Sequence, residues 1–204
     1  MSIRETRRSF LRSKCLATAG AAGGAFLAMS SGENGFARAA ETVGPAGLQS
    51  TSPEQRLREL GIELPPPPRP VAVYVPAVQT GNILFTAGHT PRRPDGSPMP
   101  GKVGADMTVE QGYAAARVAG LNLLSTVRDT LGSLDEVVRL VKVLGMVNCT
   151  PDFGRQPEVI NGFSELLVEV FGEERGKGGR SAVGMASLPG NMPVELEAIF
   201  EVRV

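Results

Sequence analysis

The chain has 204 residues, with 21 basic and 21 acidic side chains, 25 glycines, no tryptophan and 5% aromatic residues. That length suits one domain of ordinary size. Residues 1–39 hold six of the basic residues and two of the acidic ones, leaving 15 basic against 19 acidic in the rest. A mildly acidic body has no general attraction for phosphate backbones, which argues against nucleic acid as a partner.

Residues 1–39 follow the order of a signal peptide. Arg7 and Arg8 precede Phe10-Leu11, an Ala/Gly-rich apolar run spans Cys15–Met29, and Ala37-Arg38-Ala39 is a small-residue cleavage pattern. The apolar run is shorter than the roughly 20 residues a membrane-spanning helix needs. The arginine pair resembles a twin-arginine signal. That resemblance implies a twin-arginine export machinery as partner, a periplasmic or otherwise exported destination, and no membrane attachment after cleavage. Only Cys149 remains beyond the signal, so no intramolecular disulfide is expected.

Residues 40–69 read as a Pro-rich tether. A short helix is expected at Pro53–Leu60, with Ser52 as N-cap and proline at the first helical position. Pro65–Pro68 favours an extended polyproline conformation. The domain then occupies residues 70–204. Val71–Gln79 and Ile83–Ala87 read as two strands around Gly81-Asn82, and Pro91–Gly101 reads as a loop. A long helix starts at a capping box made by Thr108 and Gln111 and ends at Gly132. Ala114, Val118, Leu121, Leu124, Val127 and Leu131 suggest its apolar stripe.

Val137–Asn148 has the length and β-branched content of a central strand. Pro157–Phe171 reads as a second helix, stopped by Gly172, with a charged glycine-rich loop at Glu173–Gly179. Two final strands flank Leu188-Pro189-Gly190-Asn191 and read as a hairpin. On the last strand Val194, Leu196, Ala198, Phe200 and Val202 point one way, and Glu195, Glu197 and Glu201 the other. The order β-β-α-β-α-β-β predicts an α+β sandwich, with two helices on one face of a mixed sheet. The glutamate face must then meet solvent or another subunit.

No metal constellation is visible, because His89 is the only histidine and has no ligand-spaced partner. No phosphate-binding glycine loop and no nucleophile elbow is present. Cys149 paired with His89 would make a nucleophile, but a lone cysteine ending a strand is more often packed and inert.

The stretch GRSAVGMASLPGNMPVELEAIFEV, from Gly179 to Val202, resembles the C-terminal signature of the RidA/YjgF family. VYVPAVQTGNILFTAGHTP resembles that family's first hairpin, VVRLVKVLGMVNCTPDF its central strand and VINGFSELLVEVFGE its second helix. The resemblance covers about residues 70–202, within the chorismate-mutase-like or L-PSP endoribonuclease-like branch. It implies a chorismate-mutase-like fold, a homotrimer with sites between subunits, and no cofactor or metal. The implied activity is hydrolysis of reactive 2-enamine and 2-imine acids to 2-oxo acids and ammonia. By position, Arg180 matches the arginine that holds the substrate carboxylate, and Glu195 the glutamate near the attacking water. Tyr74 matches a tyrosine contributed across the interface, and Asn161 a polar residue lining the cleft.

The chemistry suits those residue types. A guanidinium grips a carboxylate bidentately, an imine needs a positioned water, and a carboxylate can take that water's proton. The chain departs from the family pattern at Thr86-Ala87-Gly88-His89, where Thr-Ser-Gly-Gln is common, and in the longer loop before Arg180. Those departures, with the export signal, favour a second reading: a non-catalytic trimeric module that binds small carboxylates. A ribonuclease reading follows only from a family label, and the acidic body opposes it. A chorismate mutase reading rests on fold alone.

Overall fold

The computed structural model describes residues 51–204 except Val71. The signal-like segment 1–39 and the first part of the expected tether lie outside the described residues. Helix α1, Pro53–Glu59, forms where expected, with the Ser52 hydroxyl accepting from the Gln55 amide at 3.2 Å. It does not lead away from the domain. Leu57 is buried in the core, and Arg56 donates to the Glu169 carbonyl at 2.8 Å. The Glu54 carboxylate accepts two 3.0 Å bonds from the Arg128 guanidinium and a third from the Leu134 amide. A bidentate pair that also satisfies a backbone donor fixes geometry better than an isolated surface pair. The described part of the expected tether is thus packed onto the domain, because Leu57 and Glu54 both find partners there.

Strands β1, Ala77–Thr80, and β2, Ile83–Thr86, form a hairpin with Thr80 opposite Ile83. Gly81 takes φ 55 at the first loop position, the backbone a two-residue turn of this kind requires. The expected strand from Val71 is shortened to begin at Ala77. Pro70 and Pro76 lack the amide hydrogens that a ladder would use there, and Val73 and Tyr74 stay exposed.

Helix α2, Val109–Leu131, carries the capping box of Thr108 and Gln111 and ends at Gly132 with φ 82. Its buried face is turned from the predicted one. Ala114 is exposed and Val118 and Leu121 only partly buried, while Ala115, Ala116, Ala119, Leu123, Leu124 and Val127 are buried. Close helix contact is the reason. A Cβ on Gly120 would lie 2.9 Å from both Phe163 and Leu166, and one on Gly162 would overlap the Tyr113 carbonyl. Small residues win the interface because the larger aliphatic ones would hold the helices apart.

Strand β3 runs Val137–Asn148, the bounds the pattern predicts. Helix α3, Gln156–Gly176, is broken at Gly172 (φ 81, ψ 167) and continues for a further turn, so Gly172 interrupts rather than ends it. Strands β4, Gly179–Met185, and β5, Val194–Val202, complete a five-stranded sheet of order β1-β2-β5-β3-β4. β3 and β4 are parallel, and the other pairs are antiparallel. The sheet is mixed and the domain α+β, as the element order predicts.

The expected β4–β5 hairpin is overturned, because β3 lies between the two strands. The connection over residues 186–193 is too long for a tight turn, and it crosses the C-terminal end of β3. Asn148 fastens it there: its amide donates to the Pro193 carbonyl at 2.9 Å, and its side chain to Asn191 Oδ1 at 3.0 Å and the Gly101 carbonyl at 3.1 Å. α2 and α3 cover the face formed by Leu84, Leu140, Val143, Val194, Leu196 and Phe200. Each such fully buried side chain contributes about 1.5–3 kcal/mol by leaving water. The opposite face, with Glu195 and Glu197, is open. Among the described residues, no helix is long and apolar enough to cross a membrane.

Candidate functional site

Arg180 stands near the start of β4, on the edge of the sheet, opposite Val143 of β3. Directly paired residues share a face, so Arg180 points to the helix side. There its Nη1 donates to Asn161 Oδ1 at 2.7 Å and to Ser164 Oγ at 3.1 Å. Asn161 and Ser164 sit three apart on α3, which stacks them on one side of the helix. A guanidinium has five N–H donors, and these two bonds use the Nη1 pair. Nε and Nη2, the planar fork that grips carboxylates, keep their donors free of described partners. The side chain borders a cavity of about 630 Å³, floored by Leu140, Val143 and Val168 and rimmed by Glu165, Glu169 and Lys177.

Glu195 lies opposite Met146 and faces the open side of the sheet. Its carboxylate rests on Gly88. A Cβ at that position would come within 2.8 Å of the carboxyl carbon and closer still to Oε1. Among the described residues, nothing hydrogen-bonds this carboxylate. Partial burial, and then the negative charge of Glu197, raise its pKa above the ordinary glutamate value. A base with a raised pKa takes a proton more readily.

Gly88 is placed by backbone bonds. The Ala87 amide donates to the Pro76 carbonyl at 2.9 Å, and His89 exchanges bonds of 2.8 and 2.9 Å with Leu196. The His89 ring is a buried brace. Nδ1 donates to the Ala87 carbonyl and Nε2 meets the Thr126 hydroxyl, each at 2.8 Å. With Nδ1 donating, Nε2 accepts, and burial lowers the ring's pKa so that it stays neutral. Both ring nitrogens are occupied, so His89 does not pair with Cys149. Cys149 is itself buried, 3.7 Å from the Gln156 side-chain nitrogen.

Tyr74, half-exposed, shares a small cavity of about 50 Å³ with Ala87, Gly88 and His89. The structure thus brings the predicted residues together in two sets. Arg180 and Asn161 meet on the helix side. Glu195 and Tyr74 both border the Gly88 segment. Within the chain the sets stay apart, and Arg180 and Glu195 are on opposite faces of the sheet. Ser164, Gly88 and the His89–Thr126 brace were missed. The spacing of Asn161 and Ser164 on a helix was a usable signal for the first, whereas the others depend on a strand pairing that no local pattern reveals. Among the described residues, no group of three or more His, Cys, Asp or Glu side chains could hold a metal ion.

Residues 54–197 match the family model described as "YjgF/chorismate_mutase-like, putative endoribonuclease". Protein TCP17 of Trypanosoma cruzi is 43% identical over 147 residues, covering 72% of this chain and 92% of its own. A RutC family protein of Pyrococcus abyssi is 31% identical over 132 residues, covering 65% of this chain and 88% of its own. The crystal structure of Atu1372 from Agrobacterium tumefaciens is 41% identical with TM-score 0.67, covering 74% of this chain and 94% of that one. A Shewanella oneidensis structure described as a "putative endoribonuclease" is 32% identical with TM-score 0.70, covering 74% and 99%.

Proposed function

The chain belongs to the YjgF/RidA family, and from that premise we propose that it hydrolyses reactive 2-imino and 2-enamino acids to 2-oxo acids and ammonia. The observation that carries this reading is Arg180, held by Asn161 and Ser164 at one end and free along its carboxylate-binding edge. A 2-imino acid offers that edge its carboxylate. Water adds through oxygen to the imine carbon while Glu195 takes its proton. That proton passes to the nitrogen to give the carbinolamine, the hydroxyl proton then follows it to the nitrogen through Glu195, the C–N bond breaks, and ammonia leaves as the carbonyl forms. An enamine first takes a proton on carbon to become the imine.

One protomer cannot supply both groups, so the site is completed by a second copy. A head-to-tail ring of three sets the β4 edge of each copy against the open face of the next. Val78, Phe85 and Val183 supply exposed apolar surface on that face. Tyr74 lines the cleft from the copy that supplies Glu195.

The test uses 2-imino acids generated by an amino-acid oxidase and trapped with semicarbazide. The protein is expected to compete with the trap, and Arg180→Ala and Glu195→Gln to abolish the competition. Mixing the two inactive variants by co-refolding is expected to restore about a quarter of the sites, the statistical yield for a site built from two copies. No competition by the wild-type protein rejects the activity, unchanged competition in Arg180→Ala rejects the carboxylate-binding role of Arg180, and no restoration rejects the shared site. Ala87, which offers the small cavity no hydroxyl, favours a second reading as a carboxylate-binding module. That module would show ligand-dependent thermal stabilisation without turnover. We further propose export through Arg7-Arg8: Arg7→Lys/Arg8→Lys would retain the protein in the cytoplasm on cell fractionation.

A further inference from the structure

Three arginines outside the groups already described converge beside the Gly88 half of the site. Arg69 and Arg92 line the small cavity that also holds Tyr74, Ala87 and Gly88. The same two arginines, joined by Arg93, line an adjoining groove of about 340 Å³ between Pro65–Pro68 and the Pro94-Asp95-Gly96 turn. Asp95 is the one carboxylate on this groove's lining. Among the described residues, none of the three arginines is in an ion pair. Among the described residues, the Arg92 side chain gives a single 3.3 Å bond through Nη1 to the Gly96 carbonyl, and the Arg69 side chain gives none. Arg93 donates to the Pro98 carbonyl at 2.7 Å and its charge acts on Asp95, which leaves Arg69 and Arg92 as a local concentration of positive charge in a body with more acidic than basic residues.

The groove is held from beneath by helix α2. Buried Asn122 donates to the Thr90 carbonyl at 3.1 Å and to the Arg92 carbonyl at 3.4 Å, which fixes one wall. Buried Ser125, three residues further along the helix, donates to the Pro65 carbonyl and fixes the other. The turn at Pro94–Gly96 is closed by the Gly96 amide on the Arg93 carbonyl at 2.8 Å. Polyproline on one side and a pinned turn on the other leave little backbone freedom to lose on binding, which favours affinity.

We propose that this groove binds a second carboxylate on the side chain of the substrate, so that the protein acts on 2-imino dicarboxylic acids. The proposal rests on the imine-hydrolase reading. The α-carboxylate sits on Arg180 of one copy and the reacting carbon beside Glu195 of the next. The distal carboxylate then reaches Arg92, with Arg69 closing over it. Arg92 is four residues from Gly88, so the backbone separates them by at most ~14 Å. The cavity that joins them, about 50 Å³, takes a few heavy atoms, since about 10–15 Å³ of such space holds one water. A two-carbon side chain ending in a carboxylate suits that passage.

The semicarbazide competition assay is run with the imines from glutamate and from leucine. The glutamate imine is expected to be preferred at least tenfold in kcat/KM. Arg69→Ala/Arg92→Ala should lose at least tenfold on the glutamate imine, through KM, and less than twofold on the leucine imine. Equal use of both imines by the wild type, or an equal loss on both in the variant, overturns the proposal while leaving hydrolysis intact. If neither imine is consumed, the hydrolase reading fails and calorimetry decides the groove alone. 2-Oxoglutarate is then expected to bind at least tenfold tighter than 4-methyl-2-oxopentanoate, and Arg69→Ala/Arg92→Ala to erase the difference. Equal binding of the two overturns the proposal, as does displacement of 2-oxoglutarate by equimolar inorganic phosphate. Arg69→Ala alone guards against misfolding, since that exposed side chain makes no described bond and its removal should halve the preference or more.

Discussion

The two halves of the site are built by different means. Around Arg180 the geometry is made by side chains: two neighbours on one helix face hold one guanidinium nitrogen. Around Glu195 it is made by backbone. A glycine admits the carboxylate, and a strand extension through His89 and Leu196 brings that glycine to it. The first kind of construction degrades gradually when a partner is removed. The second fails abruptly, because a single Cβ occupies the place of the working atom.

The largest effect should therefore come from Gly88→Ala. Its Cβ would force the Glu195 carboxylate off its seat, and a displacement of about 1 Å costs roughly 100-fold in kcat/KM. The Glu195 side chain can swing away, so thermal stability should change by less than ~1 kcal/mol. Steady-state kinetics beside thermal unfolding check this, and a Gly88→Ala enzyme of ordinary activity would dissolve the contrast. Asn161→Ala/Ser164→Ala should be milder. Losing two hydrogen bonds to a charged group should raise KM about tenfold or somewhat more with kcat little changed.

The smallest effect sharpens the electrostatics. On the proposed mechanism Glu195 must be ionised to take a proton, so activity should be lost as pH falls through its pKa, raised above the ordinary glutamate value. Glu197→Gln removes the second cause of that rise. It should move the acid limb of the kcat/KM profile to lower pH without altering the plateau more than about twofold. An unmoved limb would leave burial as the sole cause.

Legibility in the sequence followed the same division. The β3 bounds, the capping box of α2 and its closing glycine are local features, and each was readable because a few adjacent residues determine it. Arg180 and Asn161 were found through a resemblance, and the structure brings them into contact. The β4–β5 pairing was misread because a turn-like Leu-Pro-Gly-Asn looks the same whether it closes a hairpin or crosses a strand end. The core face of α2 was misread because hydrophobicity ranks leucine above alanine, whereas close helix contact ranks them the other way. Gly88 could not be weighed at all without knowing that Glu195 lies against it.

The place of β5 has a consequence for how the molecule comes into being. It is the last strand in chain order, yet it lies between β2 and β3 and joins the first hairpin to the rest of the sheet. During synthesis α2 can already pack against α3, but the first hairpin cannot join the sheet until this strand has left the ribosome. Such long-range closure slows folding and leaves apolar edges exposed while it is awaited. The strand that carries the Glu195 carboxylate is thus also the one whose arrival joins the two parts of the sheet.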